Sequence, residues 1–386
     1  MNVYDLDKTY VANTYARFNL NITGGKGSVV TDETGKEYID LGTGIAVNTF
    51  GLCDEKWIAA VTEQLSKFQH TSNLYYSEPC AKLAQMLCEK TGMKKVFFSN
   101  SGAEANECAI KAARRYGQLK RGDDCYKIIT LKNSFHGRTI TTLAATGQDA
   151  FHKDFTPLTE GFLHADANDC DGIEKLAEDK NVAAIMIEIV QGEGGVNALD
   201  CEFVEKISKI AKQNDLLVIT DEVQCGNGRS GKLYGYMNYN LSPDIVTTAK
   251  GIGGGLPIGV TMLGDKVKDI FTPGLNGSTF GGNPVCCAGA VSILSRLDEN
   301  LLAGVREKSD YIKETLSGKP GIKSISGMGL MLGVETEKDA GEVIEYCQNH
   351  GVLVIKAKNK VRLLPALNIP QKLLEKAINV LCDACR

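Results

Sequence analysis

Hydrophobic residues between positions 94 and 264 occur in short runs that alternate with helical patterns. The runs are KKVFFS, YKIITL, VAAIMIEIV, DLLVITDEV and PDIVTTAK, and they are separated by segments such as EANECAIKAARRYGQ and CEFVEKISKIAKQN. This alternation predicts right-handed crossovers and a mainly parallel sheet. Ligands of such sheets bind at the carboxyl ends of the strands, so we expect the functional residues at that edge.

The flanking segments follow a different pattern. A long helical pattern begins near Pro284 and is followed by short strands and helices, while GSVVTDETGKEYIDLGTG near the start predicts a hairpin around residues 33–35. A chain of 386 residues is longer than one compact core usually organises. We therefore predict an α/β protein with a large domain at residues 56–275 and a small, discontinuous α+β domain formed by residues 1–55 and 276–386.

The composition narrows the classes of partner. The formal net charge is −4, which gives no basic footprint for nucleic acid. No segment reaches the ~20 apolar residues of a membrane span, and acidic side chains precede any apolar run at the start. We expect a cytoplasmic protein that acts on small molecules and binds neither nucleic acid nor membranes.

Thirteen cysteines are scattered through apolar stretches, an odd number that is unlike a secreted disulfide framework. Reduced and mostly buried thiols are the favoured interpretation. Cys382 and Cys385 form the only C-x-x-C, with no second pair nearby. Because a closed zinc site needs four ligands, we expect no metal.

The first candidate motif is VFFSNSGAEANE, in which a predicted strand runs into a helix. Ser101 and Glu104 have the spacing of a capping box. Free N–H groups and the positive end of the helix dipole at this point would suit a phosphate group. Taken alone, however, the motif favours a well-capped helix without a ligand.

The second motif is LLVITDEVQCG, an apolar strand that ends at Asp221. A carboxylate directly after a buried strand is costly unless it is paired, and a protonated pyridine nitrogen is one suitable partner. In isolation, an N-cap or a metal ligand explains Asp221 equally well.

The third motif is PDIVTTAKGIGGGLPIG, in which Lys250 ends an apolar strand and precedes a glycine-rich loop. A lysine that emerges into a crevice has its pKa lowered by desolvation toward the range useful for imine formation. A surface lysine is the usual alternative. The loop is not a dinucleotide fingerprint, because Leu256 stands where the third glycine is required and no helix pattern follows.

The three motifs are more specific together than singly. A phosphate-binding turn, a carboxylate and a lysine at one sheet edge are what pyridoxal 5′-phosphate requires, with Lys250 as its Schiff-base anchor. Two other classes of protein fit these motifs less well. A nicotinamide-dependent dehydrogenase predicts a G-x-G-x-x-G after the first strand, which is not placed there. A catalytically silent metabolite-binding relative would lack Lys250 or Asp221, and both are present.

Over nearly its whole length the chain resembles the class III aminotransferases of fold type I. The stretches that carry the resemblance occur in the same order: NTYARFNL, LGTGIAVN, SNLYY, SNSGAEANE, SFHGRTITTLAATGQ, QGEGGV, ITDEVQCGNGRSGKLYGY, AKGIGGGLPIG, GSTFGGNP and VRLLPALNI. The resemblance implies a large domain with a mainly parallel sheet of the seven-stranded type, pyridoxal phosphate as cofactor, and a homodimer with shared active sites.

The resemblance also implies roles for residues around the cofactor. Gly102 and Ala103 would donate backbone N–H groups to the phosphate, and Phe135 would stack on the pyridine ring. Asp221 would contact the ring nitrogen, and Gln224 would contact the ring hydroxyl. Lys250 would be the covalent anchor, and Thr279 would reach the phosphate from the neighbouring subunit.

Four further residues are implied to bind substrate. Arg138 would bind the α-carboxylate of an N-acylated ornithine bidentately, and Ser278 would contact the same substrate across the subunit interface. Arg362 would receive a carboxylate of glutamate or 2-oxoglutarate. Glu193 would pair with Arg362 and mask it when that carboxylate is absent.

The implied reaction is the transfer of an amino group from N2-acetylornithine to 2-oxoglutarate, a step of arginine biosynthesis. Succinylornithine, ornithine and 4-aminobutyrate aminotransferases share most of the motifs and remain alternatives. The histidine between Phe135 and Gly137 favours the N-acylated ornithines over free ornithine.

Overall fold

The structure is a computed structural model that describes residues 2–386. Its strands are β1 (Ile22–Lys26), β2 (Val29–Asp32), β3 (Glu37–Asp40), β4 (Lys95–Ser99), β5 (Lys127–Leu131), β6 (Phe162–Ala165), β7 (Val182–Ile187), β8 (Val190–Gln191), β9 (Asn197–Ala198), β10 (Leu217–Asp221), β11 (Ile245–Thr248), β12 (Gly259–Leu263), β13 (Ile322–Met328), β14 (Met331–Thr336), β15 (Val352–Leu353), β16 (Ile355–Ala357) and β17 (Lys360–Leu363).

The helices are α1 (Val3–Tyr10), α2 (Thr43–Ala46), α3 (Glu55–Lys67), α4 (Glu78–Thr91), α5 (Gly102–Arg121), α6 (Ile140–Ala145), α7 (Asp149–His152), α8 (Cys170–Ala177), α9 (Cys201–Gln213), α10 (Pro284–Leu294), α11 (Glu299–Leu316), α12 (Ala340–Asn349) and α13 (Gln371–Cys385). Two short 3-10 turns lie at Gly235–Asn238 and Lys250–Ile252. Among residues 2–386, no helix combines the length and apolar character that crossing a membrane requires.

Seven strands form the large sheet, in the order β4-β12-β11-β10-β7-β5-β6. The neighbours from β11 to β6 are parallel, and β12 runs antiparallel between β4 and β11. The prediction of a mainly parallel sheet is therefore confirmed. The apolar run VAAIMIEIV, however, is not one strand, because β7 ends at Ile187 and leaves Glu188 outside the ladder.

Side chains of the central strands alternate between two apolar layers, as the two-residue period of a strand requires. Ile185 packs into one layer, whereas its neighbours Ala184 and Met186 pack into the other. Helix α5 covers the second layer with residues such as Ile110, and α9 covers the first with residues such as Phe203. Because both faces are covered, a polar group on the sheet is accessible only at its edges.

Two four-stranded sheets are built from the ends of the chain, in the orders β1-β2-β3-β15 and β13-β14-β17-β16. The predicted hairpin around residues 33–35 is present, since β2 and β3 pair antiparallel on either side of it. Strand β15 joins the same sheet parallel to β3, with Val352 opposite Ile39. The domain limits given by the sequence remain a prediction.

The short helix α2 has a left-handed backbone, with φ values between 48° and 64° at all four positions. Asp40 accepts hydrogen bonds from the backbone N–H groups of Gly42 and Thr43 at 2.8 and 2.9 Å. The Thr43 hydroxyl donates to the carbonyl oxygen of Leu364 at 2.6 Å. These contacts hold a conformation that disfavours residues with a side chain, and the next residue, Val47, lines the cavity described below.

Candidate active site

A cavity of about 450 Å³ opens at the carboxyl edge of the large sheet. Its walls come from the segments that follow β4, β5, β10 and β11, the positions at which open α/β sheets bind ligands. The predicted residues that line it are Gly102, Ala103, Phe135, Arg138, Asp221, Gln224 and Lys250.

One end of the cavity is the N-terminus of α5. The Ser101 hydroxyl accepts from the Glu104 N–H at 3.2 Å, and the Glu104 carboxylate accepts from the Asn100 N–H at 2.8 Å. A Cβ at Gly102 would lie 2.7 Å from a methyl group of Val223, so only glycine allows this close approach. The first N–H groups of a helix have no acceptor within it, and here they lie at the cavity wall.

Asp221 is buried and held by three donors. The Asn106 amide and His136 Nδ1 each lie 2.8 Å from its Oδ2, and the Val223 N–H lies 3.0 Å from its Oδ1. Asn106 is itself fixed, since its Oδ1 accepts from the Thr247 hydroxyl at 2.7 Å. The carboxylate therefore has a set orientation before any ligand binds.

His136 acts through Asp221 in this network. Its Nε2 is buried and has no hydrogen-bond partner among residues 2–386. The contact of its Nδ1 with Asp221 makes His136 a structural hydrogen-bonding residue.

A second buried carboxyl, Glu188, lies beside Asp221. Its Oε2 accepts from the Phe135 N–H at 2.8 Å, and its Oε1 accepts from the Gly192 N–H at 3.4 Å. Burial, together with the charge of Asp221, raises the pKa of Glu188 well above its usual range. Glu188 thus fastens the loop that carries Phe135 to the loop that carries Glu193.

Lys250 follows β11 in a left-handed conformation, with φ of 46°. The Thr49 hydroxyl donates to the carbonyl oxygen of Gly251 at 2.7 Å and so fixes the chain just after the lysine. Burial lowers the pKa of Lys250, against the opposing effect of Glu193. Within the described part of the chain, its Nζ makes neither a hydrogen bond nor an ion pair.

Arg362 reaches the same region from β17 of the four-stranded sheet β13-β14-β17-β16, and it is almost wholly buried. Its Nη1 lies 2.6 Å from Oε1 of Glu193 and 3.0 Å from Oε1 of Gln224. Burial alone would raise the pKa of Glu193, but the charge and hydrogen bond of Arg362 bring that pKa below its ordinary value. The predicted pairing of these two residues is present, and Gln224 joins it to the cavity.

Arg138 also lines the cavity and is exposed. Its guanidinium carbon lies 4.1 Å from the ring centre of Phe151 and 5.6 Å from that of Phe135. In residues 2–386 it has no hydrogen-bond acceptor and no ion-pair partner, so its donors are free to bind a carboxylate.

The residues of this cavity fit pyridoxal 5′-phosphate. An unpaired lysine amine opens into it, an oriented carboxylate lies at the end of β10, and a helix N-terminus lies at one end. These are an amine for covalent attachment, a partner for a protonated ring nitrogen and donors for a phosphate.

Four predicted residues do not line the cavity of their own chain: Glu193 and Arg362, which Gln224 joins to it, and Thr279 and Ser278. Thr279 is exposed, and Ser278 is partly buried with its hydroxyl 3.2 Å from the Asn100 amide. Their implied roles across a subunit interface therefore remain predictions.

Several residues of the site were not predicted. Asn106 is a polar residue on the inward face of a predicted helix, and Glu188 interrupts an apolar run, so each left a signal in the sequence. Phe151 left none, since an aromatic residue in a short turn has no characteristic pattern.

A sheet with a lysine and a carboxylate at its carboxyl edge, beside a helix N-terminus, defines a pyridoxal-phosphate enzyme of fold type I. The chain belongs to the family Aminotransferase class-III, whose profile matches residues 10–385.

Individual relatives extend over the whole chain. It is 48% identical to the acetylornithine aminotransferase of Haemophilus ducreyi, covering 99% of this chain and 98% of that protein. It is 44% identical to the protein of the same name from Caldanaerobacter subterraneus subsp. tengcongensis, covering 98% and 97%.

Solved structures of aminotransferases superpose on nearly the whole chain. The ornithine aminotransferase of Toxoplasma gondii superposes with a TM-score of 0.94 at 32% identity, covering 99% of this chain and 94% of that one. The N-acetylornithine aminotransferase of Stenotrophomonas maltophilia gives 0.86 at 33% identity, covering 99% and 98%. A second structure of the Toxoplasma enzyme is described as having partial occupancy of pyridoxal phosphate at its active site.

Proposed function

We propose that this chain transfers the δ-amino group of N2-acetyl-L-ornithine to 2-oxoglutarate, giving N-acetyl-L-glutamate 5-semialdehyde and L-glutamate in arginine biosynthesis. The cofactor is pyridoxal 5′-phosphate. The observation that carries the proposal is the pair of arginines, one open at Arg138 and one masked by Glu193 at Arg362. Full-length relatives named acetylornithine aminotransferase at 40–48% identity support the choice of substrate.

The two arginines suit the two half-reactions. Arg138 holds the α-carboxylate of acetylornithine and directs its δ-amine toward Lys250. In the second half-reaction, a carboxylate of 2-oxoglutarate displaces Glu193 from Arg362. At nearly the same point, the site can thereby accept the uncharged methylene chain of acetylornithine in one half-reaction and a carboxylate of 2-oxoglutarate in the other.

The proton transfers belong to Lys250. When bound, pyridoxal phosphate supplies an electron-withdrawing ring that stabilises negative charge on the carbon next to the amine. Lys250 Nζ, whose pKa is lowered by burial, removes the proton from the δ-carbon of acetylornithine and later returns one to 2-oxoglutarate. Asp221 supports the ring charge, and products leave alternately in a ping-pong sequence.

A homodimer with shared active sites is part of this proposal. Thr279 is exposed next to Phe280, whose ring is also exposed and lies 5.5 Å from that of His70. The nearby Leu74 and Tyr76 are exposed as well, which suits a surface that a second copy covers. A cytoplasmic location suits the thirteen cysteines, all of which are free.

Ornithine is the second candidate substrate. One observation favours it: the TM-score to the Toxoplasma ornithine aminotransferase, 0.94, exceeds the 0.86 to the Stenotrophomonas N-acetylornithine enzyme. Turnover of acetylornithine, succinylornithine, ornithine and 4-aminobutyrate by the purified protein separates the candidates. A preference for free ornithine or 4-aminobutyrate would overturn the primary proposal.

Replacement of the lysine tests the chemistry. Lys250→Ala should abolish both turnover and the yellow absorbance that borohydride bleaches, because the covalent attachment and the proton carrier are lost together. The matched control is Lys180→Ala, at an exposed lysine whose amine makes no hydrogen bond or ion pair within residues 2–386, and this variant should keep both. A Lys250→Ala protein that still cycled would contradict the assignment.

The same variant tests the shared site. Mixing unfolded Lys250→Ala and Thr279→Val chains and refolding them together should restore activity, because a hybrid dimer contains one site with both residues intact. Activity that stays at the level of the separate variants would contradict a threonine supplied by the partner.

A further inference from the structure

Arg138 is held by aromatic rings instead of by a carboxylate. Its guanidinium lies over Phe151 at 4.1 Å, well within the ~6 Å range of a cation–π contact, and less closely over Phe135. The two rings meet edge to face, with centroids 5.7 Å apart and an interplanar angle of 77°. Phe135 and Arg138 line the cavity, and the three side chains form one cluster.

Phe151 is fixed to the loop that carries the other two members of the cluster. Just before α7, the Gln148 amide donates to the carbonyl oxygen of Ser134 at 2.9 Å, and the Gly147 N–H donates to the Ser134 hydroxyl at 3.0 Å. At the end of α7, His152 Nε2 lies 2.7 Å from the carbonyl oxygen of Thr146. The ring is therefore set in place independently of any ligand.

From this arrangement we infer that Phe151 is a positioning residue that selects substrates with a carboxylate remote from the reacting amine, by holding Arg138 in its receptor conformation. The inference rests on the proposed function, in which Arg138 binds the α-carboxylate of acetylornithine.

An aromatic platform has a physical advantage over an acidic partner here. A ring face attracts the guanidinium without accepting its N–H groups, so all the donors remain available to the ligand. An Asp or Glu in the same place would compete with the substrate carboxylate for those donors. A flexible, unsupported arginine would instead lose side-chain entropy each time it bound.

The test uses two amines that differ only in the carboxylate: N2-acetylornithine and N-acetylputrescine. Phe151→Leu should raise the KM for acetylornithine about fivefold to tenfold while changing kcat by less than about twofold. Its kcat/KM for acetylputrescine should not change, since that amine has nothing for Arg138 to bind. Phe151→Tyr keeps the ring face and should behave as the wild type.

The matched control is Phe155→Leu, the same substitution at an exposed phenylalanine four positions farther on, whose ring forms no aromatic or cation–π pair within residues 2–386. It should leave both substrates unaffected. In a chain that already carries Arg138→Leu, the Phe151→Leu change should have no additional effect on the KM for acetylornithine.

Three outcomes would overturn the inference. One is an unchanged KM for acetylornithine in Phe151→Leu. Another is an equal loss with both amines, which would indicate a general structural role. The third is an undiminished effect in the Arg138→Leu background.

The proposed function fails separately, if the wild-type protein does not turn over acetylornithine at all. If Phe151→Leu does not fold, Phe151→Tyr is the test instead. A wild-type KM for acetylornithine in Phe151→Tyr supports the inference, and a raised KM overturns it.

Discussion

The two arginines of the site show how the same side chain is prepared for two different tasks. Arg138 is exposed, rests on aromatic rings and has every donor open. Arg362 is only 3% exposed and is paired with Glu193 at 2.6 Å. Arg138 is therefore always available to a carboxylate, whereas Arg362 becomes available only to a ligand that can replace the carboxylate of Glu193.

The difference follows from burial. An unpaired charge in the interior is costly, so Arg362 needs an anion at all times, and Glu193 provides one between uses. The Nε of Arg362 is nevertheless buried without a partner among residues 2–386, so the pair with Glu193 leaves one donor unused. At the surface, water solvates Arg138 and no such partner is required.

The largest expected effect comes from exchanging each arginine for alanine. Loss of two charge-assisted hydrogen bonds, at roughly 1.5–3 kcal/mol each, predicts a fall in rate of about 10²–10⁴-fold. Arg138→Ala should impose this loss on the single-turnover reaction with acetylornithine. Arg362→Ala should impose it on the reaction with 2-oxoglutarate and spare that with acetylornithine.

Folding must be checked alongside these rates. Removal of Arg362 leaves Glu193 without its partner, so urea unfolding serves as the control for this variant. Equal slowing of both half-reactions by Arg362→Ala would erase the distinction between the two receptors.

A smaller effect is expected from the mask itself. Glu193→Gln keeps the shape of the side chain but removes its charge, so acetylornithine would meet an arginine that is no longer neutralised. We expect the ratio of kcat/KM for acetylornithine to that for glutamate to fall about tenfold, while the affinity for pyridoxal phosphate stays the same. An unchanged ratio would show that Glu193 does not govern the choice.

The smallest expected effect concerns pH. Because the pKa of Glu193 in the folded protein lies below its ordinary value of 4.5, the pair with Arg362 persists throughout the neutral range. Its contribution to stability is present above the pKa of the unfolded chain and is lost only as pH falls through the lowered folded value.

The mask should therefore be opened by ligand and not by protonation. Stopped-flow measurements should find that Glu193→Gln changes the ratio of the two half-reaction rates by the same factor at each pH from roughly 6 to 9. A factor that varied strongly over this range would mean that protonation of Glu193 opens the site.

The sequence predicted one side of the site better than the other. Asp221 and Lys250 end apolar runs, so the edge they share could be inferred from local pattern alone. Arg362, on β17, and Glu193, in the turn between β8 and β9, lie 169 positions apart, and only the family resemblance suggested that they meet. Long-range pairing depends on packing between elements, which local periodicity does not record.

Two strands of the large sheet were missed for local reasons. Strand β6 has the sequence FLHA, in which His164 interrupts a short apolar run, and β12 follows a glycine-rich loop and runs antiparallel to its neighbours. Phe151 was missed because its importance lies wholly in its contact with Arg138. A residue of this kind can be found only when the rings and the guanidinium are placed in space.

The left-handed turn at residues 43–46 has a consequence for how the protein is made. Its three non-glycine residues each cost roughly 1–2 kcal/mol, so the turn cannot persist by itself on a nascent chain. The carbonyl group that receives the Thr43 hydroxyl belongs to Leu364, 321 positions later. The cavity wall at Val47 is therefore completed only after Leu364 has been synthesised and has folded back, and a chain that stops before that residue has no finished site for its cofactor.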